Sequence, residues 1–270
     1  MSNRYRHQTR DIADVKRGGR EQIASFGAPI LAVVIIGSVF YTILYSSLFE
    51  INQVEVEGNT YVDAQLIEAG INAQKSELRF WILPQSNILA FDEVVAINKL
   101  SHPRIADITI KRRLPHTLVV SINEKAGVAE WEWQGRWFEL DDECTIIGEV
   151  GGPTTGGLSL RNTQMIDIPV LGTKVCDQNT LELVKAIDAN VPQGFNFEIR
   201  YYDIANLGEY YIDAETNEKW YMRLSTQLTI AEQMDKLNTF LVSKGMSSND
   251  LRKELTYIDL RYGNSRIYYR

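Results

Sequence analysis

Hydrophobic and polar positions alternate along this chain with three different periods, and each period predicts a different element. Between Gln22 and Phe49 no charged residue occurs, and Pro29–Phe40 is an almost unbroken apolar run. About 20 such residues at ~1.5 Å each cross the ~30 Å hydrocarbon layer, so a transmembrane helix is expected over residues 25–48. A cleaved signal peptide is the competing reading. The run exceeds the roughly 7–15 residues of a signal core, and neither Leu44-Tyr45-Ser46 nor Tyr45-Ser46-Ser47 places small residues at both cleavage positions.

Beyond the apolar run the periods shorten. Val54 and Val56 stand two apart, as one face of a strand requires, and Gly58-Asn59 closes that strand. Val62, Leu66, Ile67 and Ala69 have helical spacing with Gly70 as a stop, and a second helical pattern runs from Ile88 through Phe91, Val94, Val95 and Ile97 to Leu100. Strict alternation returns over Ile105–Lys111 and Thr117–Asn123, on either side of Leu114-Pro115-His116. The order strand, helix, helix, strand, strand predicts a small module over 49–125 whose helices cover one face of a sheet.

From 126 to 270 the pattern is strand-rich. Ala129–Trp133 and Arg136–Leu140 flank Gln134-Gly135 and read as a tight hairpin, while Gly151–Gly157 reads as an exposed loop. A short strand and turn are expected at Ile168–Gly172. Helices are expected at Leu181–Ile187 and Ile230–Val242, and strands at Phe195–Tyr202, Tyr210–Asp213, Trp220–Leu224, Glu254–Tyr262 and Arg266–Tyr269. The fold class is α+β: a transmembrane helix, a β-α-α-β-β module and a β-rich mixed domain ending in an edge strand.

Charge orients this arrangement. Arg4, Arg6, Arg10, Lys16, Arg17 and Arg20 precede the apolar run, whereas Glu50, Glu55 and Glu57 follow it and no Lys or Arg recurs before Lys75. Positive charge stays inside, so residues 1–24 form a cytoplasmic basic tail and the rest is exported. The net charge of −7 therefore divides into a basic tail and a strongly acidic remainder, which argues against nucleic acid as a partner. Cys144 and Cys176 would lie in an oxidising compartment, where a disulfide and two buried thiols are both open readings.

Several motifs resemble those of a known family. The stretch Pro103–Glu124, with its two alternating strands, the basic pair Arg112-Arg113, and Pro115 followed by Thr117-Leu118, is similar to the end of a POTRA domain; Leu114 stands where an aromatic is commoner. Phe49-Glu50-Ile51 and Val54–Asn59 resemble that domain's first strand and turn. Ile168–Gly172 and Tyr257–Tyr262 resemble the P-x-L-x-G and D-L-R-Y elements of the bacterial cell-division family FtsQ, also called DivIB. Asp141-Asp142-Glu143-Cys144 departs from the polar residue, Gly and aromatic usual after W-F-E-L.

The resemblance implies a non-enzymatic divisome scaffold of the bacterial inner membrane, crossing once with its N-terminus in the cytoplasm, its domains periplasmic, and acting at the septum. It implies partners of the FtsB and FtsL type, engaged by strand addition at Asp259, Leu260, Arg261, Tyr262, Gly263, Ser265, Arg266, Ile267 and Tyr268. The residues themselves point to binding, because a strand near a C-terminus often lies at a sheet edge, and Arg261, Tyr262, Arg266, Tyr268 and Tyr269 are of types enriched at interfaces. Those positions could equally close the domain's own core.

Catalytic patterns are missing from the sequence. His102 and His116 lie beside prolines at strand ends with no third ligand at metal spacing, and no P-loop, H-E-x-x-H or G-x-S-x-G occurs. No catalytic, metal or cofactor residues are expected. Three competing readings remain: a membrane-anchored hydrolase; an outer-membrane assembly protein, for which no strand-rich barrel follows; and a general envelope adaptor with another protein partner.

Overall fold

A computed structural model of the chain describes residues 12–154, 156–191, 195–204, 210–246, 248–263 and 266–270, the first sixteen of them as backbone only. Two compact units result. The first comprises the described residues up to Asn59 with Asp63–Leu100 and Ile108–Ile122; the second comprises Thr60–Val62, Ser101–Asp107 and Asn123–Arg270.

Helix α1 (Ile12–Tyr45) opens the first unit. Its apolar window, Ala28–Tyr45, buries none of its length against protein and is long and apolar enough to cross a membrane. A single 3-10 turn (Ser47–Phe49), capped by the Ser46 hydroxyl, redirects the chain into β1 (Gln53–Glu57). β1 runs parallel to β5 (Thr117–Glu124), and β4 (Ile105–Arg113) lies on the other side of β5. Gly58 ends β1 at φ 81°, where a side chain would strike the Ile122 carbonyl.

Helices α2 (Ala64–Lys75) and α3 (Glu93–Lys99) cover the sheet, each begun by an aspartate: Asp63 accepts from the Gln65 amide at 2.9 Å and Asp92 from Val95 at 3.3 Å. Two expectations are corrected here. Gly70 does not stop α2 but lies inside it, because a Cβ at that position would collide with Leu100 and the glycine is needed for close packing. Ile88–Phe91 is not helical. It forms turns that deliver Ile88 and Phe91 to the core, and the helix begins only after the Asp92 cap. The intervening chain makes a small hairpin that sequence reading did not anticipate, β2 (Leu78–Arg79) with β3 (Leu83–Pro84).

The second unit is built on a nine-stranded sheet. Its strands are β6 (Ala129–Trp133), β7 (Arg136–Leu140), β8 (Ile146–Val150), β9 (Ser159–Arg161), β10 (Ile199–Asp203), β11 (Tyr211–Thr216), β12 (Tyr221–Ser225), β13 (Tyr257–Asp259) and β14 (Tyr268–Tyr269). Their spatial order is β14-β13-β12-β11-β10-β9-β6-β7-β8. The β6–β7 hairpin turns through Gln134 and Gly135 at φ 49° and 83°, the geometry that a two-residue loop favours. Helices α4 (Gln178–Asn190) and α5 (Ile230–Ser243) supply Leu181, Val184, Ile187, Met234, Leu237 and Leu241 to a core shared with Trp131, Leu160, Ile212, Met222 and Ile258. A short helix, α6 (Asn249–Arg252), leads into β13.

Ile168–Leu171 is not the strand expected. Pro169 lacks a ladder donor, and the segment turns at Gly172 (φ 84°), whose amide donates to Ile146 O at 2.8 Å. The two open readings of the cysteines resolve to a disulfide between Cys144 and Cys176, in the chain that flanks this turn.

Candidate functional site

The candidate site is the β12–β13–β14 end of the large sheet. Two polar groups hold it in place from behind. Gln233 of α5 is fully buried, accepts from the Ser225 amide at 2.7 Å and donates to Ser225 O at 3.0 Å, so it fixes the end of β12 to the helix layer. Arg252, also buried, pairs with Glu218 at 2.7 Å and donates to Met246 O and Phe195 O, each at 2.7 Å. The arginine's hydrogen bond holds the Glu218 carboxyl below its ordinary range.

Alternation then separates two faces. Ile258 turns into the core while Asp259 turns away, aligned with Arg223 of β12, which is itself aligned with Asp213 of β11. Arg223 grips Asp213 with two bonds of 2.8 Å and lies 4.3 Å above the Tyr211 ring. Arg261 repeats the device one strand over, bonding Asp259 at 2.8 and 3.0 Å and stacking 4.7 Å from the same ring. Each guanidinium is raised above its ordinary range, chiefly by its carboxylate partner, so both stay charged at any physiological pH.

The nine sequence-predicted positions fall into distinct environments. Asp259 is buried and committed to Arg261; Leu260 is wholly buried, and its amide donates to Arg223 O at 3.0 Å. Arg261 is half-buried, Tyr262 and Gly263 are exposed, and Ile267 packs partly against the core. Tyr262 and Tyr268 meet edge-to-face at 5.0 Å, both about half exposed. Arg266 is exposed and has no ion pair among the described residues, and Ser265 lies outside those residues.

β13 has β12 on one side and β14 on the other, so β14 is the outermost strand. The Arg270 amide donates to Tyr257 O at 3.2 Å, and the register pairs Tyr268 with Asp259. Residues 268 and 270 therefore direct their backbone groups inward, and Tyr269 between them directs its N–H and C=O outward. Tyr269 packs 4.9 Å from Phe240, with Lys244 5.4 Å over its ring, and Lys236 donates to Tyr262 O at 3.2 Å. Lys236 and the C-cap residue Lys244 escaped sequence reading, and Phe240, expected only on the inner face of the helix, also reaches the edge once the helix is folded. What such a rim does chemically is hydrogen-bond an extended chain. Among the described residues no group of three or more His, Cys, Asp or Glu could hold a metal ion.

A β-α-α-β-β module following an apolar N-terminal helix, with a mixed sheet after it, is the arrangement of a POTRA-type protein beside a candidate membrane helix. Residues 49–125 match the POTRA domain, FtsQ-type. The chain is 25% identical over 241 residues, 84% of its length and 47% of the relative's, to the cell division protein DivIB of Staphylococcus aureus strain NCTC 8325 / PS 47. The DivIB of strain MRSA252 gives the same figures. The chain thus spans about half the length of these curated relatives. Together the matched domain and the relatives support placing it in the FtsQ/DivIB family.

Proposed function

We propose that this chain is a non-enzymatic scaffold of the bacterial divisome that receives a strand from FtsB- or FtsL-type partners along β14. The observation that carries the reading is the outer rim itself: an unpaired backbone face at Tyr269 flanked by Tyr262, Tyr268 and Arg266. Backbone bonds supply affinity in such augmentation, and flanking side chains supply selection. Arg266 meets an acidic partner residue, because Arg261 is already engaged by Asp259.

Anchoring is a single inner-membrane span with the basic tail in the cytoplasm and both units periplasmic, concentrated at the septum. A disulfide between Cys144 and Cys176 supports export, since such bonds persist in oxidising compartments. The test uses full-length chain in lipid nanodiscs, titrated with the periplasmic segments of FtsB- and FtsL-type proteins from the same organism. Saturable binding, weakened at least fivefold by Arg266→Glu with unchanged melting, is the expected result. Binding indifferent to that substitution overturns the β14 site; absence of binding by folded protein favours an envelope adaptor with another partner.

A further inference from the structure

The small hairpin β2–β3 carries an apolar tip that its own unit leaves uncovered. Its tip, Phe80-Trp81-Ile82, exposes 71%, 92% and 65% of these three apolar residues. Phe80 and Trp81 also take φ of 50° and 66°, left-handed conformations in which bulky side chains are disfavoured and glycine or asparagine is usual. Local stability would favour Asn-Gly there. Strain and exposed aromatic surface at one tip point to an environment other than water.

That environment is indicated by what holds the tip. Tyr45, the last residue of α1, donates its hydroxyl to Ile82 O at 2.7 Å. Asn87, just after the hairpin, donates to Ile43 O and Leu44 O, each at 2.9 Å, so it satisfies two of the carbonyls the helix end leaves open. Ile51 N bonds Ser86 O and Ile88 N bonds Phe49 O, both at 2.8 Å, which ties the strand after the helix to the same loop. The tip is thereby fixed beside the outer end of the apolar helix, level with the stacked pair Tyr41 and Tyr45. At the hairpin's base, Arg79 bonds Asp92 at 3.1 Å and supplies a polar boundary to the apolar tip.

We propose that Phe80, Trp81 and Ile82 form an interfacial wedge, seated at the headgroup–acyl boundary of the bilayer that α1 crosses. This rests on the single-span reading above. Trp and Tyr favour that depth because their rings are apolar at one end and wet at the other. With a helix and a wedge both engaged, the first unit touches the membrane at two points, and its tilt is set rather than free.

The experiment reconstitutes the full chain, unmodified and as Trp81→Phe, into phosphatidylethanolamine/phosphatidylglycerol vesicles with or without acyl chains brominated near the headgroup. Tryptophan emission and flotation after carbonate washing are both recorded. The expected result is co-flotation of both proteins and a bromine-dependent loss of about one-fifth of the emission, since Trp81 is one of five tryptophans, that disappears in Trp81→Phe. Co-flotation with equal quenching in both proteins overturns the wedge and leaves the span standing. Failure to float overturns span and wedge together.

Discussion

The two rims of the nine-stranded sheet are finished in opposite ways. At β8 the Ile146 amide donates to Thr173 O at 2.9 Å, its carbonyl accepts from Gly172, and Arg104 bonds Ile147 O at 3.2 Å while pairing with Glu139. A disulfide locks the covering segment. At β14 the sheet stops at a two-residue strand in which Tyr269 alone turns its backbone outward, and both tyrosines are about half exposed. Edge strands invite pairing unless blocked, so the rim left open is the one we propose for a partner.

The contrast can be broken from either side. The largest effect is expected behind the open rim: Arg252→Met strands the buried Glu218 carboxylate and should cost about 3–5 kcal/mol in urea unfolding. At the closed rim, replacing Cys144 and Cys176 together by serine frees a loop of sequence separation 32 and should cost about 3–4 kcal/mol, while partner affinity stays unchanged.

Acid sharpens the comparison at the closed rim. Asp141 is buried, which opposes its ionisation, yet Lys125 at 2.7 Å and the amides of Thr145 and Glu143 hold its carboxyl below the ordinary value of 3.8. A depressed carboxylate contributes stability that is complete above the unfolded value and is lost as pH falls through the lower folded one. Asp141→Asn should therefore destabilise by roughly 1.5–3 kcal/mol at neutral pH and flatten the acid limb of the stability curve. The smallest change in free energy is expected at the open rim itself. Tyr269→Pro removes the outward donor together with the ring packed on Phe240, so partner binding should weaken about tenfold, or about 1.4 kcal/mol, relative to Tyr269→Ala, which loses the ring alone. An unchanged affinity would place the partner elsewhere.

Much of this architecture is legible in local sequence. Alternation identifies β4 and β5, Gln134-Gly135 fixes the β6–β7 turn, and the spacing of Met234, Leu237 and Leu241 gives α5. What stays hidden depends on distant partners. Gly70 reads as a stop until Leu100 is packed against it. β8 escapes because Gly148 interrupts it, and β9 because three residues carry no period. Ile168–Gly172 has a strand's composition but caps an edge. At the candidate site, residue types mark the terminal segment, but the inner position of Asp259 and the outer position of Tyr269 follow only from strand order.

The closed β8 rim also limits what copies of this chain can build. Head-to-tail polymerisation through the sheet would require the β14 of one molecule to join the β8 of the next, an open-ended arrangement that grows into a filament. With Ile146 and Ile147 of β8 already bonded by Thr173, Gly172 and Arg104, that route is disfavoured. Arrangements that terminate are favoured at β14: one guest strand per sheet, or two copies meeting across a two-fold axis. On the proposed divisome reading, such a chain offers an edge to a partner without polymerising on itself.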